Sequence, residues 1–142
     1  MKVHRGNFLY ALNWIRQRLF AYLESEMSKE NIGDITPSYG EVLYMLQRKG
    51  TVNLSDITKM SHKDKSTITG VINQLEKNGY IIKKRDNQDR RFVYIEPTEK
   101  SKKVQPALRN ISEKMNSRLF KGLSEEEKET LFKLVSKISE NL

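Results

Sequence analysis

The sequence predicts a mainly α-helical fold with a small β-wing, in which a helix-turn-helix and its hairpin are flanked by long N- and C-terminal helices. Three observations predict it. Ile68, Val71, Ile72 and Leu75 recur at i, i+3, i+4 and i+7, so Asp64 to Gly79 reads as a helix with one apolar face. Two β-prone runs follow at once, Tyr80 to Arg85 and Phe92 to Ile95, separated by a charged turn, residues 86–91. Heptad-like apolar spacing appears outside this unit, toward both ends of the 142-residue chain. Helix, strand, charged turn, strand is the order of a winged helix-turn-helix; on spacing alone, a plain surface hairpin remains the alternative.

Taken in order, Asn7 to about Ser28 predicts the first helix. Phe8, Leu12, Ile15, Leu19 and Tyr22 step by 4, 3, 4 and 3. That seam suits packing between subunits, with an intramolecular core as the alternative. Thr36-Pro37 supplies an N-cap and an N1 proline for a second helix carrying Tyr39, Val42, Leu43 and Leu46, which Gly50 closes. Asn53 and Asp56 open a short third helix with Leu54, Ile57 and Met60 inward. Ser61 or Asp64 caps the fourth, and Gly79 suits its left-handed C-terminal position. Thr98 caps a fifth helix in which Val104, Leu108, Ile111 and Met115 align. Pro106 implies either a kink there or a start only after it. Gly122-Leu123 breaks the pattern, and Ser124 with Glu127 forms a capping box for a last helix carrying Leu131, Leu134, Val135, Ile138 and Leu142. The domain expectation is therefore one domain, 1–142, with a winged unit at 36–97 and dimerisation helices at 7–30 and 98–142.

The composition narrows the function. Without cysteine there are no disulfides, thiolate metal sites or thiol switches. No run of 18 apolar residues occurs, and residues 1–7 lead into a patterned helix rather than a signal-peptide core, so a cytoplasmic protein with no membrane partner is expected. The net charge is +8, and from Asn53 to Arg91 nine bases face five acids. Half the excess thus sits on the winged unit, which fits a polyanionic partner. Catalytic glycine-rich and serine motifs are absent, and His4 and His62 are the only histidines. No enzyme activity, cofactor or metal site is expected. The fourth helix turns Ser66, Thr69, Gly70, Asn73 and Lys77 outward, a small hydrogen-bonding face shaped for a groove.

Asp64-Lys65-Ser66-Thr67-Ile68-Thr69, Leu75 to Ile81, the wing Arg85 to Arg91 and the helix start Thr98-Glu99-Lys100 together resemble the MarR family of bacterial transcriptional regulators. The resemblance is continuous from about Thr36 to Lys103 and looser in the flanking helices. It implies a homodimer, acting as a repressor, that binds a pseudo-palindromic double-stranded operator. Lys65, Ser66, Thr67, Thr69, Asn73 and Lys77 would then lie in the major groove. Asp89, Arg90 and Arg91 would form the wing, with one arginine in the minor groove and an aspartate bracing an arginine. Narrow, negative minor grooves attract guanidinium whatever the base. His62, Lys63 and Lys84 are candidates for phosphate contacts. Many relatives carry arginines where this chain has Gly70 and Gln74, which leaves readout to Ser66, Thr69 and Asn73, with Lys77 as a further candidate. Asn pairs bidentately with adenine, so an A·T-rich site is expected. The resemblance also implies a small aromatic or anionic effector, for which Tyr10, Trp14, Tyr39 and Tyr44, with Arg16 or Arg18, are the candidate lining. Two alternatives use the same basic face: a winged-helix protein-interaction module and a non-specific architectural DNA binder.

Overall fold

The computed structural model describes residues 1–61, 63–89 and 91–141, and its helix ends follow short-range chemistry. After a 3-10 turn at Arg5–Asn7, α1 spans Phe8–Lys29 and α2 Pro37–Lys49. Pro37 takes the first helical position of α2, but the hydroxyl of its N-cap Thr36 makes no capping bond. Gly50 ends α2 at φ +71°, a conformation only glycine adopts without strain. Strand β1 is Val52–Asn53, α3 is Leu54–Ser61 and α4 is Lys65–Lys77. Strands β2, Ile81–Arg85, and β3, Val93–Pro97, form the hairpin, followed by α5, Glu99–Leu119, and α6, Glu125–Ser139.

The sheet has three strands in the order β1-β3-β2, all antiparallel, where the sequence reading expects two. The added strand is two residues long and pairs Val52 with Ile95 and Asn53 with Tyr94. So short a strand carries no period; its partner lies some forty residues downstream. Asn53 also opens α3, as expected, by accepting from the Ser55 backbone N–H at 2.8 Å.

Two expectations about α5 meet different outcomes. Thr98 is its cap, accepting from the Ser101 N–H at 3.3 Å and donating to the Gly79 carbonyl at 2.7 Å. The helix does not wait for Pro106 but runs through it from Glu99. The proline removes the bond that would reach the Lys102 carbonyl, and both residues are exposed, where water takes up the loss. The capping box of Ser124 and Glu127 forms at the start of α6.

The core is centred on the winged unit. Leu43 and Leu46 of α2, Ile57 of α3, Ile68, Ile72 and Leu75 of α4, and Tyr80, Ile81 and Ile95 of the hairpin are all essentially inaccessible. Each such aliphatic side chain contributes about 1.5–3 kcal/mol by leaving water. Met27 and Ile111 join from α1 and α5. The seam of α1 is a different matter: Phe8, Leu12 and Ile15 are exposed, and α6 buries no residue within one copy. No helix among the described residues is long and apolar enough to cross a membrane.

Candidate nucleic-acid interface

The fourth helix is oriented by what it buries. With Ile68, Val71, Ile72 and Leu75 against the core, Lys65, Ser66, Thr67, Thr69, Gly70, Asn73 and Lys77 are left exposed. Of the two cap candidates, Asp64 takes the place. Its carboxylate accepts from the Thr67 N–H at 2.8 Å and the Thr67 hydroxyl at 2.6 Å. Those bonds, the hydroxyl first, hold the carboxyl below its ordinary range. The Thr69 hydroxyl donates to the Lys65 carbonyl at 2.7 Å, so what it offers outward is lone pairs and a methyl group. A Cβ built on Gly70 would meet nothing within 4 Å, which makes this the flattest point of the face. Gln74 is half-buried and donates to Asn78 Oδ1 at 3.1 Å, off the outer face.

The wing is stiffened by its own acids. Asp86 Oδ1 accepts from the backbone N–H groups of Gln88 and Asp89 at 2.7 and 2.9 Å, folding the turn back on itself. Asp89 grips Arg91 in a fork, with Nε to Oδ1 at 3.0 Å and Nη2 to Oδ2 at 2.7 Å. The Arg91 side chain is nevertheless 87% exposed. The same fork holds the Asp89 carboxyl below its usual range. His62 and Arg90 lie outside the described residues. Of the other candidates for phosphate, Lys63 pairs with Glu41 and Lys84 with Glu96, each at 2.6 Å.

Sequence reasoning missed Lys83 and Asp34. Lys83 reaches from β2 to Asn73 Oδ1 at 2.6 Å and Glu76 Oε2 at 2.7 Å. Asp34, in the α1–α2 connector, accepts from the Tyr80 hydroxyl at 2.6 Å and pairs with Lys100 of α5 at 2.9 Å. Its backbone carbonyl accepts from Asn78 Nδ2, just past α4, at 2.6 Å. Burial pushes the Asp34 carboxyl up, but Tyr80 and Lys100 outweigh it and hold the group below its ordinary value. Burial, then Asp34, pushes the Tyr80 hydroxyl far up. Neither cluster had a signal in the sequence, because each joins side chains from different elements that only the fold brings together.

A groove of about 480 Å³ lies between the C-terminal half of α1, α2 and α5. Tyr44 lines it together with Leu23, Leu108, Arg109 and Met115. The other expected effector residues are not brought there. Tyr10 and Trp14 are exposed on the N-terminal half of α1, with the Arg18 guanidinium 5.3 Å from the Trp14 ring centre and Arg16 over Phe20. Tyr39 is half-buried against the core. The basic group in the groove is Arg109.

Residues 35–93, from the start of α2 through the wing, match the family model described as MarR family. Over 112 residues the chain is 31% identical to the uncharacterized HTH-type transcriptional regulator YybA of Bacillus subtilis, covering 77% of this chain and 74% of that one. The chain belongs to the MarR family. It is 30% identical over 125 residues to a second B. subtilis relative, the uncharacterized HTH-type transcriptional regulator YkoM, covering 84% and 81% of the two chains. Among solved structures, the S. aureus MepR–DNA complex superimposes with a TM-score of 0.85 at 26% identity, covering 95% of this chain and 98% of that one. Bordetella bronchiseptica BpsR, whose DNA binding is regulated by 6-hydroxynicotinic acid, shares the fold with a TM-score of 0.81 at 24% identity over 98% of each chain. As a MarR-family member the chain is a winged-helix transcriptional regulator. The matched stretch holds the outer face of α4 and the wing; the terminal helices lie beyond it.

Proposed function

We propose that the MarR-family chain acts in the cytoplasm as a homodimeric repressor on a pseudo-palindromic operator, with α4 in the major groove and the wing against the minor groove. One observation carries this reading. The outer face of α4, whose one exposed acid within the helix, Glu76, is paired with Lys83, lies in the same basic unit as a turn that presents an exposed arginine braced by an aspartate. A guanidinium already held in a fork loses less freedom when it meets a narrow groove. Ser66, Thr69 and Asn73 supply base contacts; Lys65, Thr67 and Lys77 supply the flanking ones. Lys63 and Lys84 keep carboxylate partners, so their part is to exchange those partners for phosphates on binding. The exposed seams of α1 and α6 pair with a second copy, so that two copies of α4 meet successive major grooves about 34 Å apart.

In the groove between α1, α2 and α5, Tyr44 and the aliphatic wall would hold the ring of a small aromatic ligand and Arg109 its anionic group, Glu113 and the Lys63-paired Glu41 lining the groove beside it. Such a ligand weakens DNA binding by favouring a dimer geometry with the wrong spacing of the two α4 helices. Footprinting on an operator selected from random duplexes tests the whole reading. The wild type should protect one dyad with half-sites one helical turn apart. Arg91→Ala should weaken that protection tenfold or more, and an aromatic carboxylate such as benzoate or salicylate should release it. A monomer that protects no discrete sequence refutes the proposal.

A further inference from the structure

Asn73 and Lys83 are ten residues apart, one on the outer face of α4 and the other on β2. Lys83 Nζ donates to Asn73 Oδ1 at 2.6 Å and pairs with Glu76 Oε2 at 2.7 Å. An ammonium only donates, so the amide atom facing it must be the oxygen. Carboxylate, ammonium and amide therefore form a chain whose other end is the Asn73 amino group, on an exposed residue of the reading face.

Resting on the proposed function, we infer that Lys83 is a specificity-determining positioning residue that makes Asn73 a donor-only reader of one base edge. Bidentate pairing with adenine needs both ends of the amide: the oxygen accepts from N6 while the nitrogen donates to N7. Here the oxygen already holds an ammonium in a charge-assisted bond, which is stronger than a neutral one. The adenine amino group would bring its positive hydrogens against that charge. The oxygen keeps a second lone pair, but beside the ammonium it receives another N–H poorly, so Asn73 offers chiefly Nδ2, which suits guanine O6 or N7, thymine O4, or adenine N7 through one bond only. Cytosine shows the major groove only a donor at this edge, so it is refused. The sequence expectation that Asn73 selects adenine is thereby reversed at this position, through a residue outside the recognition helix.

The test is selection from randomised duplexes with the wild type, Asn73→Ala and Lys83→Met, the last keeping the stem and removing the ammonium. Asn73→Ala marks the base position it reads. At that position the wild type should disfavour cytosine by about tenfold and show no enrichment of adenine over guanine or thymine. Lys83→Met should move the same position toward adenine by about tenfold and leave the others as they were. If Lys83→Met does not fold, Lys83→Thr, which suits a strand and is too short to reach Asn73, replaces it, and the same movement is expected. Adenine already enriched in the wild type overturns the inference. So does a Lys83 variant that weakens all sequences equally with a shallower salt dependence, since that is a phosphate contact. A discrete operator with no position governed by Asn73 overturns it too, and leaves the repressor standing; no preferred sequence at all overturns both.

Discussion

Gly70 and Asp34 show how single residues trade stability against position. Gly70 sits mid-helix with open space where a side chain would go. Gly70→Ala should therefore stabilise the fold by about 0.5–1 kcal/mol in urea unfolding, since nothing in the protein asks for glycine there. Retaining glycine leaves the backbone bare on the face proposed to meet DNA, so the same variant should bind the operator less well. Asp34 has its carboxyl depressed by Tyr80 and Lys100 in the folded state. A depressed carboxyl adds stability that is complete above its unfolded value, near 3.8, and is lost as pH falls through the lower folded one. Wild type and Asp34→Asn should differ most above pH 4 and converge in strong acid, as followed by thermal melts across that range. Equal slopes for the two proteins would show that the carboxylate does not contribute.

At the scale of elements, what the sequence made legible is what local chemistry decides. Asp64, Thr98 and Ser124 each precede a helix by one residue and each caps it, because a cap needs only the next three residues. The inner face of α4 follows from its period alone. Strand β1 did not, since two residues hold it to Ile95 and Tyr94 by pairing that no nearby residue announces. Of the two readings of Pro106, the later helix start fails: local preference argues for it, and packing of Val104, Leu108 and Ile111 against the core overrides that preference. The Lys83 link and the lining of the groove needed the hairpin and α5 in place first. Thr98 is a cap with a second task, since its hydroxyl also meets the Gly79 carbonyl beyond the end of α4. Thr98→Val keeps the shape and removes both bonds. It should cost about 1–2 kcal/mol of stability by chemical denaturation, above the loss expected from a cap alone.

For the whole molecule, the division of apolar surface decides the assembly. The winged unit fills its own core, whereas α6 leaves Leu131, Phe132, Leu134, Val135 and Ile138 exposed and α1 leaves Phe8, Leu12 and Ile15. Surface of that extent and period is unusual on a chain that works alone. Leu134→Glu together with Ile138→Glu should give a folded monomer by sedimentation, with helical content kept and dyad protection lost. A doubly substituted protein that still sediments as a dimer would place the interface elsewhere. One link between the long helices and the winged unit is the joint where Asp34 and Lys100 meet beside Asn78, between the connector, the end of α4 and the start of α5. The polar contacts of that joint are an ion pair and hydrogen bonds rather than interleaved hydrocarbon. Such contacts exchange partners more readily than packed hydrocarbon separates. Because Met27 and Ile111 also anchor α1 and α5 in the hydrocarbon of the winged unit, a tilt of the long helices strains packed side chains there while this polar seam can change partners at little cost.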